Sequence, residues 1–227
     1  MKTDGNLILI TGRRKEALDA TTAANPGMRS FVLDVQDPLA IRACAAMLGR
    51  DFPGLNVLVN NAGIMRPERI LDQAEDFADL EAMVATNLLG PLRLTAALLP
   101  LLRKQAHSAI MNVSSGLAFV PLAMTPTYCA TKAALHAYTL SLRYQLKGTP
   151  TEVVELIPPY VATDLMGGAS DPRAMPLSAF LAEVMALLGT RPALPEICVE
   201  NVKRLRFAAE TGAFEAVFQG FNDAMAH

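Results

Sequence analysis

The chain has 227 residues, enough for one large domain or two small ones with a sizeable core. Apolar residues make up 52% and charged residues 19%, which excludes a disordered chain. Twenty Lys and Arg stand against 22 Asp and Glu with no block of one sign, which argues against a general electrostatic grip on nucleic acid.

Cys44, Cys129 and Cys198 are odd in number and far apart, and the only histidines are His107, His136 and His227. Neither a disulfide framework nor a metal site is expected from that material. The contiguous apolar stretches fall short of the roughly 20 residues of a membrane span, and Arg13 and Arg14 arrive too early for a signal peptide. The expectation is a cytoplasmic protein that meets neither membrane nor nucleic acid.

Short apolar runs alternate with longer helical patterns along the chain. Strands are expected at 7–11, 31–35, 55–60, 108–113 and 151–157, with a last one at 214–219. Between and after them, helices are expected at 14–24, 38–52 (Pro38 near its start), 74–86, 90–105, 127–146, 177–188 and 195–210. Strands lacking a clean polar alternation are buried on both faces. Separated by helices, they describe a doubly wound parallel α/β sheet forming one domain over residues 1–227. In such sheets ligands sit beyond the carboxyl ends of the strands, so chemistry should follow strands in the sequence.

Several polar residues occupy those places. Tyr128 and Lys132 are four apart on a helix and share one face, where an ammonium beside a phenol favours the phenolate and lowers its pKa. Alone the pair is weak, because such spacing arises by chance in roughly one chain in ten of this composition. Ser115 follows the strand ending at Val113, Asn60-Asn61-Ala62-Gly63 closes another strand, and Asn87 lies between two helical stretches. Asp34-Val35 ends a further strand, where a carboxylate can meet an adenine or ribose.

In order and spacing these residues resemble the short-chain dehydrogenase/reductase family, from about Phe31 to the C-terminus, with 175–219 similar to its DltE-like branch. The resemblance implies a Rossmann-like fold and an NAD(P)(H)-dependent interconversion of hydroxyl and carbonyl on a small, weakly charged substrate. It makes Tyr128 the general acid/base, Ser115 the hydrogen-bond partner of the reacting oxygen, and Lys132 the residue that holds the nicotinamide ribose. Asn87 would anchor a water in a proton relay. Asp34, Val35, Asn61, Ala62 and Gly63 would line the adenosine side, and Pro158, Val161 and Thr163 would border the nicotinamide. Pro159 stands where the family usually has glycine. Residues 164–190 would be a substrate lid, and a homodimer or homotetramer would form through the helices at 90–105 and 127–146.

The start of the chain departs from the family pattern. A glycine-rich turn normally opens the first helix and receives the pyrophosphate. Here Thr11-Gly12 runs straight into Arg13-Arg14, and Thr11 lies 23 residues before Asp34, about half the family's usual interval. Residues 1–35 therefore read as a shortened βαβ unit in which the glycine loop, first helix and most of a second strand are missing. The arginines would favour NADP(H), with NAD(H) as the alternative. Either the sheet re-forms around strand 7–11, or the dinucleotide site is impaired and the protein folds and oligomerises without chemistry. His107 and His136 read as helix-surface or cap residues, Cys129 as a small core thiol, and Lys203, Arg204 and Arg206 as a solvated helix face.

Overall fold

A computed structural model of the chain describes residues 7–71, 76–166, 171–190 and 194–225. In chain order the elements are β1 (Leu9–Gly12), α1 (Lys15–Ala24), β2 (Arg29–Val32), α2 (Pro38–Asp51), β3 (Val57–Asn60), α3 (Ala78–Val84), α4 (Gly90–Leu102), β4 (Ser108–Val113), α5 (Pro126–Gln145), β5 (Thr151–Ile157), α6 (Leu177–Leu188), β6 (Glu196–Cys198), α7 (Glu200–Arg206) and α8 (Phe214–Met225). Every strand pairing is parallel, and helices intervene between the strands, as expected for this class.

Four expectations are corrected. The strand placed at 31–35 begins two residues earlier and ends three earlier, as β2, and Leu33 and Val35 lie beyond it in a small core with Ile41, Leu94 and Ala97. The helix at 195–210 divides into β6 and α7, because 196–198 completes the sheet by pairing with 155–157. The strand at 214–219 is helical: α8 turns Val217 into a core with Val120 and Ala208. Phe214 and Phe218 stack along it at a centroid distance of 5.9 Å, so the aromatic run follows a helical period rather than a strand period. The start of the helix expected at 74–86 falls partly outside the described residues; the helix itself begins at Ala78.

The sheet is in two pieces. β1 pairs with β2, and β3-β4-β5-β6 form a second sheet, with no pairing between β1 and β3 among the described residues. Of the arrangement re-formed around residues 7–11, the pairing of that strand with the one after α1 is present, but β1 is not the central strand of a single sheet. At the open edges Val59 is 49% exposed and Ile8 43%, whereas every residue of β4 is buried. What joins the pieces is helix packing and a few polar bonds. A Cβ on Gly90 would lie 3.1 Å from Val35, so glycine there lets α4 approach the chain after β2. Gln36 Nε2 donates to Thr86 Oγ1 (2.9 Å), and Arg93 Nη1 donates to the Gln36 carbonyl (3.1 Å).

Residues 78–102 run as one continuous helical stretch, α3 and α4 joined by a π-helical turn at Ala85–Leu89. By length and composition this stretch could cross a membrane, which counting contiguous apolar residues did not anticipate. Its buried residues include Thr86, Asn87 and Thr95, and α4 packs against β3 and β4, the burial pattern of a core helix.

The C-terminal helices brace the sheet from behind. A Cβ on Gly116, in the short 3-10 turn after β4, would stand 2.8 Å from Val202 Cγ2 and 3.0 Å from Leu205 Cδ1. Val202 is fully buried and β-branched, so it has little freedom to give way. Gly116→Ala should therefore destabilise the protein by about 1–3 kcal/mol in urea unfolding, and Val202→Ala in the same chain should recover part of that loss.

Candidate active site

Four polar side chains from three segments meet at the carboxyl ends of β3 and β4. Asn87 lies in the π-helical turn, Ser115 caps the 3-10 turn after β4, and Tyr128 and Lys132 occupy one face of α5. All four are buried, from 1% exposure at Asn87 to 8% at Ser115. π-Helical turns inside longer helices frequently mark functional sites, and this one turns the Asn87 amide inward.

Asn87 closes the loop after β3. Its Oδ1 accepts from Ile64 N (2.9 Å), and its Nδ2 donates to Ile64 O (2.8 Å) and Thr131 Oγ1 (3.2 Å). The amide thus fixes residues 61–64 to α5. Asn61, Ala62 and Gly63 stay exposed beside it. A Cβ on Gly63 would sit 3.6 Å from Asn87 Oδ1 and 3.8 Å from Lys132 Nζ, so glycine keeps the space above the ammonium open.

Lys132 reaches down rather than out. Its Nζ donates to the Val113 carbonyl at 2.7 Å and lies 5.6 Å from the centre of the Tyr128 ring. Burial drives its pKa from an ordinary 10.5 to about 8, opposed by the negative charge of Glu155. Burial also pushes Tyr128 up to about 12, while a hydrogen bond from Ser115 pulls it down. In the protein alone desolvation of the ring oxygen outweighs the Ser115 hydrogen bond, so the phenol keeps its proton, in contrast to the phenol brought toward neutral pH that the spacing suggests. Ser115 Oγ also accepts from Leu117 N (3.1 Å), which orients the hydroxyl at the base of the 3-10 turn.

Sequence reasoning missed one residue that holds this arrangement. α5 begins with Pro126 and has no side-chain cap of its own. Glu68 supplies one from the loop after β3, accepting from Thr127 N (2.9 Å) and Thr127 Oγ1 (2.7 Å) immediately before Tyr128. A cap from 59 residues away leaves no local signature, so no sequence signal could have found it.

The remaining expected residues fall into two groups. Pro158, Val161 and Thr163 follow β5. Val161 forms a parallel bridge with Met175, which ties the base of the 164–190 stretch through Ala162 N to Met175 O (2.9 Å) and Met175 N to Tyr160 O (2.8 Å). Gly167 and Gly168 lie outside the described residues. Thr11, Gly12, Arg13 and Arg14 belong to the separate two-stranded sheet and the start of α1, where both arginines are exposed and the helix N-terminus has no side-chain cap. Asp34 turns its carboxylate onto its own backbone, accepting from Gln36 N (2.9 Å), and Val35 is buried against Gly90.

The geometry tests whether a nicotinamide dinucleotide fits. At the ribose end, the open space over Gly63 faces an ammonium that donates one hydrogen bond among the described residues, leaving two N–H donors for ribose hydroxyls. At the phosphate end there is charge and an open helix N-terminus but a single glycine. The first end fits the group; the second offers attraction with less room.

An ammonium that loses affinity for its proton on folding opposes folding while it is charged. Between about pH 8 and 10.5 the unfolded chain binds more protons than the folded one, so stability rises with pH across that window. At pH 7 the cost is on the order of 3 kcal/mol. Lys132→Met should therefore resist urea better than the wild type at pH 7, with the advantage shrinking toward about pH 10.

Comparison with known proteins agrees with this reading. Residues 1–174 match the model of the short chain dehydrogenase family. The chain is 36% identical to an uncharacterized oxidoreductase, DltE, of Bacillus subtilis over 222 residues, spanning 96% of this chain and 87% of that protein. In three dimensions it is similar to a short-chain dehydrogenase from Streptomyces avermitilis (TM-score 0.81, 23% identity, 98% of this chain and 89% of the other). It is also similar to an NADPH-bound carbonyl reductase from chicken fatty liver (TM-score 0.72, 27% identity, 82% of each chain). The chain belongs to the short-chain dehydrogenase family, a family of nicotinamide-dependent oxidoreductases.

Proposed function

We propose that the protein is an NADP(H)-dependent oxidoreductase that interconverts a hydroxyl and a carbonyl on a small, weakly charged substrate, with Asn87, Ser115, Tyr128 and Lys132 as its working residues. The observation that carries this reading is the convergence of those four buried side chains from three segments, with Asn87 and Lys132 beside Gly63 and Ser115 on Tyr128. NADP(H) is favoured over NAD(H) because Arg13 and Arg14 stand exposed at the α1 N-terminus, where a 2′-phosphate would find two cations, and because the similar carbonyl reductase was solved with NADPH.

When bound, the cofactor supplies or accepts the hydride; the protein's own residues handle the proton and the geometry. Lys132 would hold the ribose with the two N–H donors not used on Val113, and Thr163, Val161 and Pro158 would border the nicotinamide. Thr11, Gly12, Arg13 and Arg14 would meet the phosphates, and Asp34, Val35, Asn61, Ala62 and Gly63 the adenosine side. In reduction, Tyr128 gives its proton to the carbonyl oxygen as negative charge develops there, and Ser115 holds that oxygen by a hydrogen bond. A phenol at about 12 is fully protonated at neutral pH, the state this step needs. The ammonium of Lys132 then stabilises the phenolate left behind, which requires it to be charged. Asn87 keeps loop 61–64 and α5 in register.

Residues 164–190 form the substrate lid in this reading. Within them Asp171 and Arg173 pair with each other (2.8 Å), Asp164 is exposed and Glu183 half-buried, and Leu165 and Met175, with Val161 just before the stretch, add apolar surface that suits a weakly charged substrate. A homodimer or homotetramer through α4 and α5 accompanies the reading, supported by the exposed Leu140 and Tyr144 on α5. Sedimentation at micromolar concentration should give more than one protomer per particle; a monomer throughout refutes that element.

A second reading is a folded relative that binds no dinucleotide, favoured by the separate two-stranded sheet and the single glycine at the phosphate end. An NADPH fluorescence titration separates the two. Saturable binding that weakens in Arg13→Ala/Arg14→Ala more for NADPH than for NADH supports the enzyme, and no binding by folded protein supports the rival. With binding established, Tyr128→Phe should abolish carbonyl reduction while leaving NADPH affinity within a few fold, and the wild-type rate should fall as pH rises through about 8.

A further inference from the structure

Beneath α5 the four-stranded sheet carries a lateral row of polar residues. Asn60 of β3 is in register with Asn112 of β4, Asn112 with Glu155 of β5, and Glu155 with Glu196 of β6, so all four side chains share one face. Asn60 Nδ2 donates to Asn112 Oδ1 (2.8 Å), and Asn112 Nδ2 donates to Thr139 Oγ1 of α5 (2.8 Å). Glu155 Oε2 is 2.8 Å from His136 Nδ1, while Glu155 Oε1, in a fully buried side chain, has no partner. A carboxylate buried with one oxygen unsatisfied is costly, and nothing in the catalytic reading uses it.

The helix explains where its field goes. Tyr128, Lys132 and His136 recur at intervals of four, so His136 stands about 6 Å along the axis from Lys132 on the same face. Lys132 Nζ rests on the Val113 carbonyl, one residue along β4 from Asn112, the register partner of Glu155. His136 is therefore no helix-surface residue: it bridges α5 to the buried carboxylate and packs edge-on against Phe119 (4.7 Å). Arg206 is likewise no solvated charge. It lies 4.5 Å over Phe119 and binds both oxygens of Glu196, at 2.7 and 3.1 Å.

Ligand atoms of His136, Glu155 and Glu196 lie within 4.8 Å of one another, a spacing a metal ion could use. With Arg206 on Glu196, and Lys132 and His136 beside Glu155, the two carboxylates already face three basic groups. Cys198 of β6, a thiol raised to about 11 by burial and by Glu196, lies beside them, with Glu210 on Arg206 (2.7 Å) and Lys203 further out.

We propose that Glu155 is a positioning residue for the reaction: its carboxylate, anchored by His136, supplies the buried negative charge that keeps Lys132 an ammonium. The direction agrees with the electrostatics of the site, where burial lowers the affinity of Lys132 for its proton and the charge of Glu155 opposes it. The inference rests on the proposed role of Lys132, but its test requires no turnover. Lysine-labelled protein is titrated by 13Cε and 15Nζ NMR, with Lys132 assigned among the six lysines by its loss in Lys132→Met.

Glu155→Gln, which can still hydrogen-bond His136, should lower the Lys132 midpoint by at least about one pH unit, and Glu155→Asp, which keeps the charge, by less than about half a unit. An unchanged midpoint in folded Glu155→Gln overturns the proposal, because a structural anchor would leave the titration alone. If Glu155→Gln does not fold, Glu155→Leu serves: it removes the charge without itself leaving a buried polar atom unpaired, so the Lys132 midpoint should again fall by at least about one pH unit, and an unchanged midpoint overturns the proposal.

Discussion

The structure around the site depends on one buried cation. Lys132 lies almost fully inside the protein with its ammonium on a main-chain carbonyl of β4. A charge so placed is tolerated only if the surroundings supply dipoles and opposite charge in fixed positions. α5 is held in place accordingly, capped at its start by Glu68, tied to the loop after β3 through Thr131 and Asn87, and fastened to the sheet by Thr139 and His136. The fold accepts a less stable arrangement here, and strain of this kind concentrates at functional sites.

A second constraint acts on the other side of the molecule. The first two strands form their own small sheet, and the edge of β3 facing away from β4 has no strand partner among the described residues. Backbone hydrogen bonding therefore does not transmit position from β1 to the catalytic end. That task falls to α2 on α4, to Val35 against Gly90, and to Gln36 between Thr86 and Arg93.

The candidate constellation could be nominated from the sequence because its members keep the order and intervals of a known family, although Asn87 turns out to lie inside a continuous helical stretch and Tyr128 and Lys132 inside α5. Ser115 could be placed after a strand, and Tyr128 and Lys132 onto one helix face, from spacing alone. Their environment was not legible. Burial around Tyr128 and Lys132 arises from distant segments, and it reverses the expected direction for the phenol. His136 and Arg206 looked like surface residues because polar side chains at helical spacing usually are. Only the approach of β5 and β6 gives them buried carboxylate partners.

The C-terminal errors have the same origin. A three-residue strand such as β6 is shorter than any period that could announce it, and it forms because β5 offers an open edge beside it. Residues 214–219 carry aromatics that suit a strand, and they become a helix because Val217 meets Val120 and Ala208. The sequence by itself determined the α/β class and the family, since these rest on local periodicity and on residue types in a fixed order, and through the family resemblance it nominated the four candidate site residues. The tertiary structure alone decided that the sheet is divided, which charges are buried, and which proton each site residue holds, because those depend on desolvation and on partners brought together from far along the chain.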